Sequence, residues 1–273
     1  MREIEIADLR NITELVKSKY KYDFTNYAMS SFKRRIDRIL DLHNLSIDAL
    51  IRKLSNDPAF VEIFLTDITV NVTEMFRDPS FWKSMKKDII PGILLNHDSF
   101  NIWHAGCSSG EEVFSMCILL SEMGILDNVN IIATDIDQVI LDKARKGEYN
   151  LKNMMLNEKN YIRFEGKTSL KDYYVEKKGI AKMDGNLLRN VSFRKQDLVN
   201  GEVFNKFDLI LCRNVMIYFN QNLQNNVLKK IHASLFKYGY LAIGAKESLI
   251  WCEIANKFIV VNNEEKVYKK IKE

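Results

Sequence analysis

The sequence predicts an α/β protein: a mostly parallel sheet with an antiparallel terminal strand, preceded by a small all-α N-terminal domain and carrying a small antiparallel β insertion. Three observations predict this. The first 90 residues show helical periodicity, short apolar runs alternate with helical patterns from about residue 101, and an apolar hairpin closes the chain. Alternating β and α segments with short connections indicate a parallel sheet covered on both faces. We therefore expect a helical domain over residues 1–85 and a sheet domain over residues 86–273.

The helical region shows clear faces and caps. Apolar residues recur at i, i+4, i+7 and i+8, which predicts one buried face: Phe32, Ile36, Ile39 and Leu40. Ser46 is placed to cap the next helix, and Asp57-Pro58 begins another. That later helix should turn four residues inward: Phe60, Ile63, Phe64 and Ile68.

In the second region the apolar runs are short and bounded by helical patterns. Strands are predicted at 101–104, 129–133, 207–211 and 240–245. Helices are predicted from Glu111, from Gln138 and over 221–236. The segments 258–261 and 266–271 flank a polar turn and predict an antiparallel hairpin near the sheet edge.

Residues 160–195 interrupt the β/α alternation. Short strand-like pieces lie at 173–176, 180–183 and 191–194, separated by turns at 178–179 and 184–186. A long surface loop is the alternative. Because β-branched and aromatic residues recur between the turns, we expect a small antiparallel insertion over about 160–195.

Composition narrows the class of protein. The 273 residues are 47% hydrophobic and 28% charged, with a net charge of +4, as in ordinary soluble domains. This modest charge, without an aromatic strand platform, argues against nucleic-acid binding. No apolar run approaches the roughly 18–20 residues of a membrane span, and the N-terminus lacks the apolar core of a secretory signal. The four cysteines show no C-x-x-C spacing and are expected to be reduced thiols. We expect a cytoplasmic monomer without metal or membrane insertion.

The first strand–helix junction carries two glycines and two glutamates. Gly106 and Gly110 are spaced G-x-x-x-G rather than G-x-G-x-x-G, which argues against a dinucleotide and therefore against a nicotinamide oxidoreductase. Glu111 and Glu112 would repel a phosphate at the helix start. A cationic ligand with hydroxyl groups, such as S-adenosylmethionine, suits this junction better.

Asp135 and Asp197 each follow a predicted strand. Asp135 can accept hydrogen bonds from both ribose hydroxyls of such a ligand, and its alternative role is the N-cap of the next helix. Asp197 can reach an adenine amino group, although an Asp after a strand is commonly a turn residue. Both positions predict a nucleoside-type cofactor at the carboxyl ends of the strands.

Several segments resemble the CheR family of chemotaxis receptor methyltransferases. Residues 71–77 read N-V-T-E-M-F-R, similar to N-x-T-x-F-F-R, and residues 105–112 read A-G-C-S-S-G-E-E, similar to A-G-C-S-T-G-E-E. Residues 133–137, A-T-D-I-D, and 212–219, C-R-N-V-M-I-Y-F, match the family, and 22–24 and 32–36 resemble its helical domain. The resemblance implies a class I S-adenosylmethionine methyltransferase fold in which the 160–195 insertion is a β-subdomain that helps dock receptors.

The resemblance, together with the glycine pattern, implies a set of cofactor-binding residues. The set is Asn71, Thr73, Arg77, Gly106, Glu111, Asp135, Asp197, Leu198, Asn214 and Val215. Arg77, Arg213 and Tyr218 are candidates near the methyl acceptor, with an ion pair as the alternative for Arg213 and core packing for Tyr218. Where the family has G-H-S-E this chain has 244–247, G-A-K-E, so no histidine acts there.

The implied reaction transfers a methyl group from S-adenosylmethionine to glutamate carboxylates of chemoreceptors, giving methyl esters and S-adenosylhomocysteine. A glutamate side chain has an ordinary pKa of about 4.3 and is ionised at pH 7, so no general base is needed. The basic helix is implied to contact acidic receptor helices, with a solvated face as the alternative: Lys33, Arg34, Arg35 and Arg38. Alternative functions are methylation of another protein or a small molecule, and a cofactor-binding adaptor without turnover.

Overall fold

The computed structural model describes residues 4–69, 71–202 and 206–273. Four helices form the N-terminal unit: α1 (Ile6–Tyr20), α2 (Met29–His43), α3 (Ile47–Asn56) and α4 (Pro58–Ile68). The predicted caps are confirmed. The Ser46 hydroxyl accepts the backbone N–H of Ala49 at 3.2 Å, and the Asp57 carboxylate accepts that of Ala59 at 3.1 Å. These bonds satisfy N–H groups that lack partners at a helix start.

The helical unit has its own apolar core. The predicted face of α2 is confirmed, because the four apolar residues predicted to form that face are all buried. On α4 the prediction is wrong at one position: Ile63 is 47% exposed. The buried stripe of α4 runs through Val61 and Leu65 as well as Phe64, so Ile63 falls beside it.

The segment after α4 contributes its buried apolar side chains to the sheet unit, although Asn71 at its start still donates to Thr66 at the end of α4. It contains α5 (Pro79–Ser84), one π-helical turn (Met85–Ile89) and α6 (Ile90–Leu94). Met75, Phe76 and Trp82 belong to a core shared with the sheet, and the Phe76 ring stacks on Phe164 at 4.7 Å between centroids. Residues 71–85 are expected in the helical domain, whereas the buried apolar side chains from Met75 to Met85 lie in the core of the sheet unit.

The remaining chain alternates strands and helices. The strands are β1 (Phe100–Ala105), β2 (Val129–Asp135), β3 (Glu148–Asn150), β4 (Tyr174–Lys177), β5 (Ile180–Met183), β6 (Val191–Lys195), β7 (Phe207–Cys212), β8 (Leu235–Ile243), β9 (Phe258–Asn262) and β10 (Val267–Lys270). The main sheet has the order β6-β2-β1-β7-β8-β10-β9. Its first five strands are parallel, and β10 is antiparallel to both of its neighbours. The predicted mostly parallel sheet with an antiparallel terminal strand is confirmed.

Helices cover both faces of the main sheet. They are α7 (Glu111–Glu122), α8 (Gln138–Lys146), α9 (Leu151–Phe164) and α10 (Gln221–Ser234). Successive residues of β1 enter different cores: Ile102 packs with α7 on one face, and Trp103 packs with α10 on the other. Within the three described ranges, no helix has both the length and the apolar character needed to cross a membrane.

A second, antiparallel sheet has the order β3-β5-β4. The predicted small antiparallel sheet is present, but two details differ from the prediction. Its third strand is β3, which has only three residues and was not predicted. The strand predicted at 191–194 does form, but as β6 it pairs in parallel with β2, with Ala133 opposite Phe193. This pairing joins residues about 60 positions apart, which a local pattern does not encode.

Candidate active site

A crevice opens where four parallel strands end. From β1 the chain builds β2 and β6 on one side and then returns to add β7 on the other side. Ligands bind at such a reversal of strand order in α/β sheets. The crevice is lined by residues 106–108, 135–136, 196–199 and 213–215, each following one of these strands, and by residues of the N-terminal unit and the segment after it.

Nine of the ten residues predicted to bind a cofactor line this crevice. They are Asn71, Thr73, Arg77, Gly106, Asp135, Asp197, Leu198, Asn214 and Val215. Glu111 does not. It is buried in the first turn of α7, where its Oε2 accepts the Ser109 hydroxyl at 2.7 Å, and burial raises the pKa of its carboxyl. Glu112, one residue further along, lines the crevice instead, as does Glu74 from the segment after α4.

Asp135 is held by two backbone N–H groups. Its Oδ2 accepts from Ser108 at 2.8 Å, and its Oδ1 accepts from Asp137 at 3.1 Å. Burial raises the pKa of Asp135, although these two hydrogen bonds oppose the rise. The cap of α8 is Asp137, which accepts from Val139 at 2.9 Å. Each Asp135 oxygen therefore keeps a lone pair with which to accept a ligand hydroxyl.

Gly106 is required by its backbone and by its neighbour. Its φ is +79°, in the left-handed region, and an added Cβ would lie 2.6 Å from Cγ2 of Val215. The N–H groups of Gly106 and Cys107 both donate to the Thr134 carbonyl at 2.9 Å. The loops after β1 and β7 therefore meet without room for a side chain between them.

Asp197 combines the two roles considered for it. Its Oδ1 accepts the N–H of Val199 at 2.8 Å, and its Oδ2 accepts from the Asn200 side chain at 2.8 Å. These are turn contacts, as the alternative predicted. The same residue lines the crevice after β6, where its remaining lone pairs can accept an amino group.

Arg213 forms part of a buried network of charges. Its side chain is 2% exposed and donates to Asp78 at 2.7 Å and to Glu112 at 3.2 Å. Glu112 also pairs with Nδ1 of His104 at 2.9 Å. Burial acts to raise the pKa of Glu112, but the hydrogen bond from His104 and the charge of Arg213 hold it below its usual value. The two terminal nitrogens of Arg213 are thus paired with protein carboxylates, as the ion-pair alternative predicted, while its buried Nε has no partner among the described residues.

Arg77 and Arg35 retain donors that the protein does not use. Arg77 is partly exposed, and its guanidinium makes no hydrogen bond or ion pair with any residue that the structure describes, although its backbone carbonyl accepts the Trp82 indole N–H at 3.0 Å. Arg35 is 6% exposed, and its Nη1 donates to the Ile68 carbonyl at 2.7 Å. Its Nη2 is buried without a partner among the described residues, and Arg35 as a residue lines the crevice. Two cationic groups are therefore available to an anionic ligand.

Arg35 does not belong to the basic surface for which the sequence predicts it. Arg34 and Arg38 are exposed on α2 and Lys33 is half-buried, whereas Arg35 points inward. Arg35 lies at i+3 from Phe32, on the apolar stripe of the helix, and that spacing was the signal that could have placed it. The predicted receptor-binding set is thus divided between the surface and the crevice.

Tyr218 lies where the two units of the chain meet. Its backbone carbonyl accepts the N–H of Ala28 at 2.9 Å. The guanidinium carbon of Arg35 lies over its ring, 4.0 Å from the ring centre. Tyr218 packs beside the apolar core and also lines the crevice. Tyr27 and Gln196, which carry no sequence signal for a site, line it too. In the parts of the chain that the structure covers, no group of His, Cys, Asp and Glu is arranged to hold a metal ion.

The fold and this crevice define a class I S-adenosylmethionine-dependent methyltransferase. Two family models match the chain: the all-alpha domain of CheR methyltransferase over residues 7–69 and its SAM binding domain over residues 71–267. The chain belongs to the CheR methyltransferase family. The side chains fit the cofactor, because carboxylates suited to hydroxyl and amino donors line the crevice together with the cationic side chain of Arg77.

Similar proteins cover most of the chain. Cher3 of Pseudomonas putida is 38% identical over 96% of both chains. The chemotaxis protein methyltransferase of Listeria innocua is 30% identical over 89% of this chain and 90% of its own. Chemotaxis protein methyltransferase 1 of Vibrio cholerae is 34% identical over 75% of this chain and 74% of its own.

Proposed function

We propose that this protein transfers the methyl group of S-adenosylmethionine to glutamate side chains of chemoreceptors, giving glutamate methyl esters and S-adenosylhomocysteine. Family membership supports the cofactor and the reaction type. The names of the Listeria and Vibrio relatives support a role in chemotaxis. The geometry of the crevice supports a carboxylate as the acceptor.

The observation that carries the proposal is the unused Nη2 of Arg35. A buried guanidinium nitrogen without a partner is costly, and this one belongs to a residue that lines the crevice. An acceptor carboxylate would satisfy it with a charge-assisted hydrogen bond. The guanidinium also packs over the ring of Tyr218, whose centre lies 4.0 Å from the guanidinium carbon. Arg35 is thus placed to bind and orient the substrate glutamate.

The chain needs no proton acceptor for this reaction. When bound, S-adenosylmethionine supplies an electrophilic methyl group on a sulfonium. The acceptor glutamate is already ionised at pH 7. The protein's contribution is positioning: Arg35 and Tyr218 orient the carboxylate, and the crevice walls that the helical unit supplies, such as Tyr27, limit its hydration.

We assign the cofactor to the sheet side of the crevice. Asp135 accepts the ribose hydroxyls, and Asp197 with Leu198 borders the adenine. Asn71, Thr73, Asn214 and Val215 complete the walls, and Gly106 allows close approach. Arg77 is the candidate for the cofactor carboxylate, because Arg213 is already paired with Asp78 and Glu112.

We assign receptor contact to the exposed face of α2. Arg34 and Arg38 are exposed there, and Lys33 lies beside them, so the face suits an acidic helix. The small sheet, whose edge strand β4 carries the exposed Val175, is the candidate second docking surface. The free cysteines are all buried, which is compatible with a cytoplasmic location.

The experiment is methylation of purified receptor cytoplasmic fragments with radiolabelled S-adenosylmethionine. We expect label that is released by mild alkali, as a methyl ester is, and that is lost when the acceptor glutamates are replaced by alanine. Label that resists alkali, or that appears only on other proteins, would contradict the proposal. Binding of S-adenosylhomocysteine without transfer to any receptor would favour an adaptor.

A further inference from the structure

Glu247 is a buried carboxylate whose hydrogen bonds, within the described part of the chain, all come from backbone N–H groups. It follows the end of β8 and is 6% exposed. Its Oε2 accepts the N–H groups of Asn214 at 3.0 Å and Gly244 at 2.5 Å. Its Oε1 accepts those of Met216 at 2.7 Å and Ile217 at 3.2 Å. One side chain thus satisfies four N–H groups from two separate loops.

Three of those N–H groups belong to the loop after β7. This loop presents Asn214, Val215 and Tyr218 to the crevice. Asn214 has a φ of +61°, a left-handed conformation that costs free energy in a residue other than glycine. Without an acceptor, the buried amides would have to find other partners, and the loop would change shape.

The contact between the two loops leaves no spare volume. A Cβ added at Gly244 would lie 2.7 Å from Nδ2 of Asn214 and 2.8 Å from Oε2 of Glu247. Glu247 itself is not among the residues that line the crevice. Its effect on a ligand therefore passes through the loop that it holds.

We infer that Glu247 is a positioning residue: its carboxylate fixes the 214–217 loop and thereby the wall that contacts the cofactor and the acceptor. The expected effect of Glu247 on methyl transfer rests on the proposed function. Its expected effect on cofactor binding does not, because that effect is measured as the affinity for S-adenosylhomocysteine.

The chemistry calls for a carboxylate at this position. An ionised Glu offers two acceptor oxygens, whereas Gln offers one and turns an NH₂ group toward two of the four N–H donors. Asp keeps both oxygens but is one methylene shorter. Glu247→Gln changes hydrogen bonding at nearly constant volume, and Glu247→Asp changes reach at constant charge.

Glu122→Gln is the matched control. Glu122 is 7% exposed and accepts the Tyr161 hydroxyl at 2.6 Å and the Lys167 N–H at 3.2 Å. It is an equally buried hydrogen-bonded glutamate, but it lies at the far end of α7 and does not line the crevice. Glu122→Gln should lower Tm without changing ligand affinity.

The test is calorimetry with S-adenosylhomocysteine, receptor methylation kinetics and thermal unfolding of the three variants. We expect Glu247→Gln to weaken binding by about tenfold or more and to lower kcat as well. Glu247→Asp should show a smaller loss of affinity, and Glu122→Gln none. The amide NMR shifts of Asn214 and Met216 should move in the Glu247 variants and stay unchanged in Glu122→Gln.

A lower Tm for Glu247→Gln with unchanged affinity and unchanged kcat would overturn the inference, because the role would then be structural only. Should Glu247→Gln fail to fold, Glu247→Asp decides: wild-type affinity and kcat in that variant would also overturn it. If the wild type binds S-adenosylhomocysteine but methylates no receptor, the proposed function fails, while the affinity comparison still tests Glu247.

Discussion

The guanidinium carbon of Arg35 lies 4.0 Å from the centre of the Tyr218 ring. Arg35 comes from α2 in the helical unit, and Tyr218 comes from the loop after β7 in the sheet unit. A cation over an aromatic face in a desolvated site is attractive. The contact therefore joins the two units of the chain at the mouth of the crevice and holds a cation beside the proposed acceptor position.

Arg35→Met should lower receptor methylation by about tenfold or more, because it removes a charge-assisted hydrogen bond to the acceptor carboxylate. Met keeps the apolar stem, so packing loss is limited. Affinity for S-adenosylhomocysteine should change little. Steady-state kinetics and calorimetry measure the two effects. Arg52→Met, on an exposed position of α3, is the control and should match the wild type. Wild-type turnover in Arg35→Met would show that the acceptor is held elsewhere.

Asp135→Asn should weaken S-adenosylhomocysteine binding by roughly 10- to 100-fold, since hydrogen bonds to a charged acceptor contribute about 1.5–3 kcal/mol. The new NH₂ group would also face a backbone N–H donor, from Ser108 or Asp137. Asp137→Asn is the matched control: Asp137 caps α8 and lies outside the crevice lining, and Asn is a good cap. Equal affinities for the two variants, measured by calorimetry, would remove Asp135 from the ribose site.

The elements that depend on local pattern were predictable from the sequence. The periodicity of α2, the caps at Ser46 and Asp57, and the alternation that makes the parallel sheet all reflect neighbours within a few residues. Local pattern also placed Gly106 and Asp135 at the carboxyl ends of strands. The motifs of the resemblance then added residues, such as Asn214, that no local rule would single out.

Other features depend on contacts distant in sequence. Folding brings β6 beside β2 and Gly244 into contact with Asn214, and neither contact is encoded by a local pattern. Successive residues on a helix point about 100° apart. This is why Glu112 faces the crevice, whereas its neighbour Glu111, for which that position is predicted, does not. Arg35 was grouped with its basic neighbours by composition, although its spacing from Phe32 placed it on the buried face.

Gly106→Ala should strongly weaken cofactor binding and lower stability. The added methyl group meets Val215 at 2.6 Å, and the φ of +79° is unfavourable for alanine. The variant thus combines backbone strain of about 1 kcal/mol with overpacking of about 1–3 kcal/mol.

Gly179→Ala separates those two effects. Gly179 has a φ of +78° but no heavy atom within 4 Å of an added Cβ, so it carries the strain without the collision. Thermal unfolding and S-adenosylhomocysteine titration of both variants should show a larger loss of stability in Gly106→Ala and a loss of affinity there only. Similar results for both would mean that the contact with Val215 relaxes freely.

Asp135 should make cofactor binding sensitive to acid at a higher pH than an ordinary aspartate would. Burial raises its pKa above the usual value of 3.8. The folded protein therefore holds the proton more tightly than the unfolded chain. The contribution of Asp135 to folding stability is thus fully present below pH 3.8 and is lost as the pH rises through the folded-state pKa.

Cofactor binding should depend on pH in the opposite direction. Ribose hydroxyls donate to the ionised carboxylate, so binding lowers the pKa of Asp135 and releases a proton when the pH is near that pKa. Affinity for S-adenosylhomocysteine should fall as the pH is lowered from neutral through the folded-state pKa of Asp135. Calorimetry in two buffers with different ionisation enthalpies measures both affinity and proton release. Asp135→Asn should lose this pH dependence while Asp137→Asn keeps it, and proton uptake by the wild type on binding would contradict the assignment.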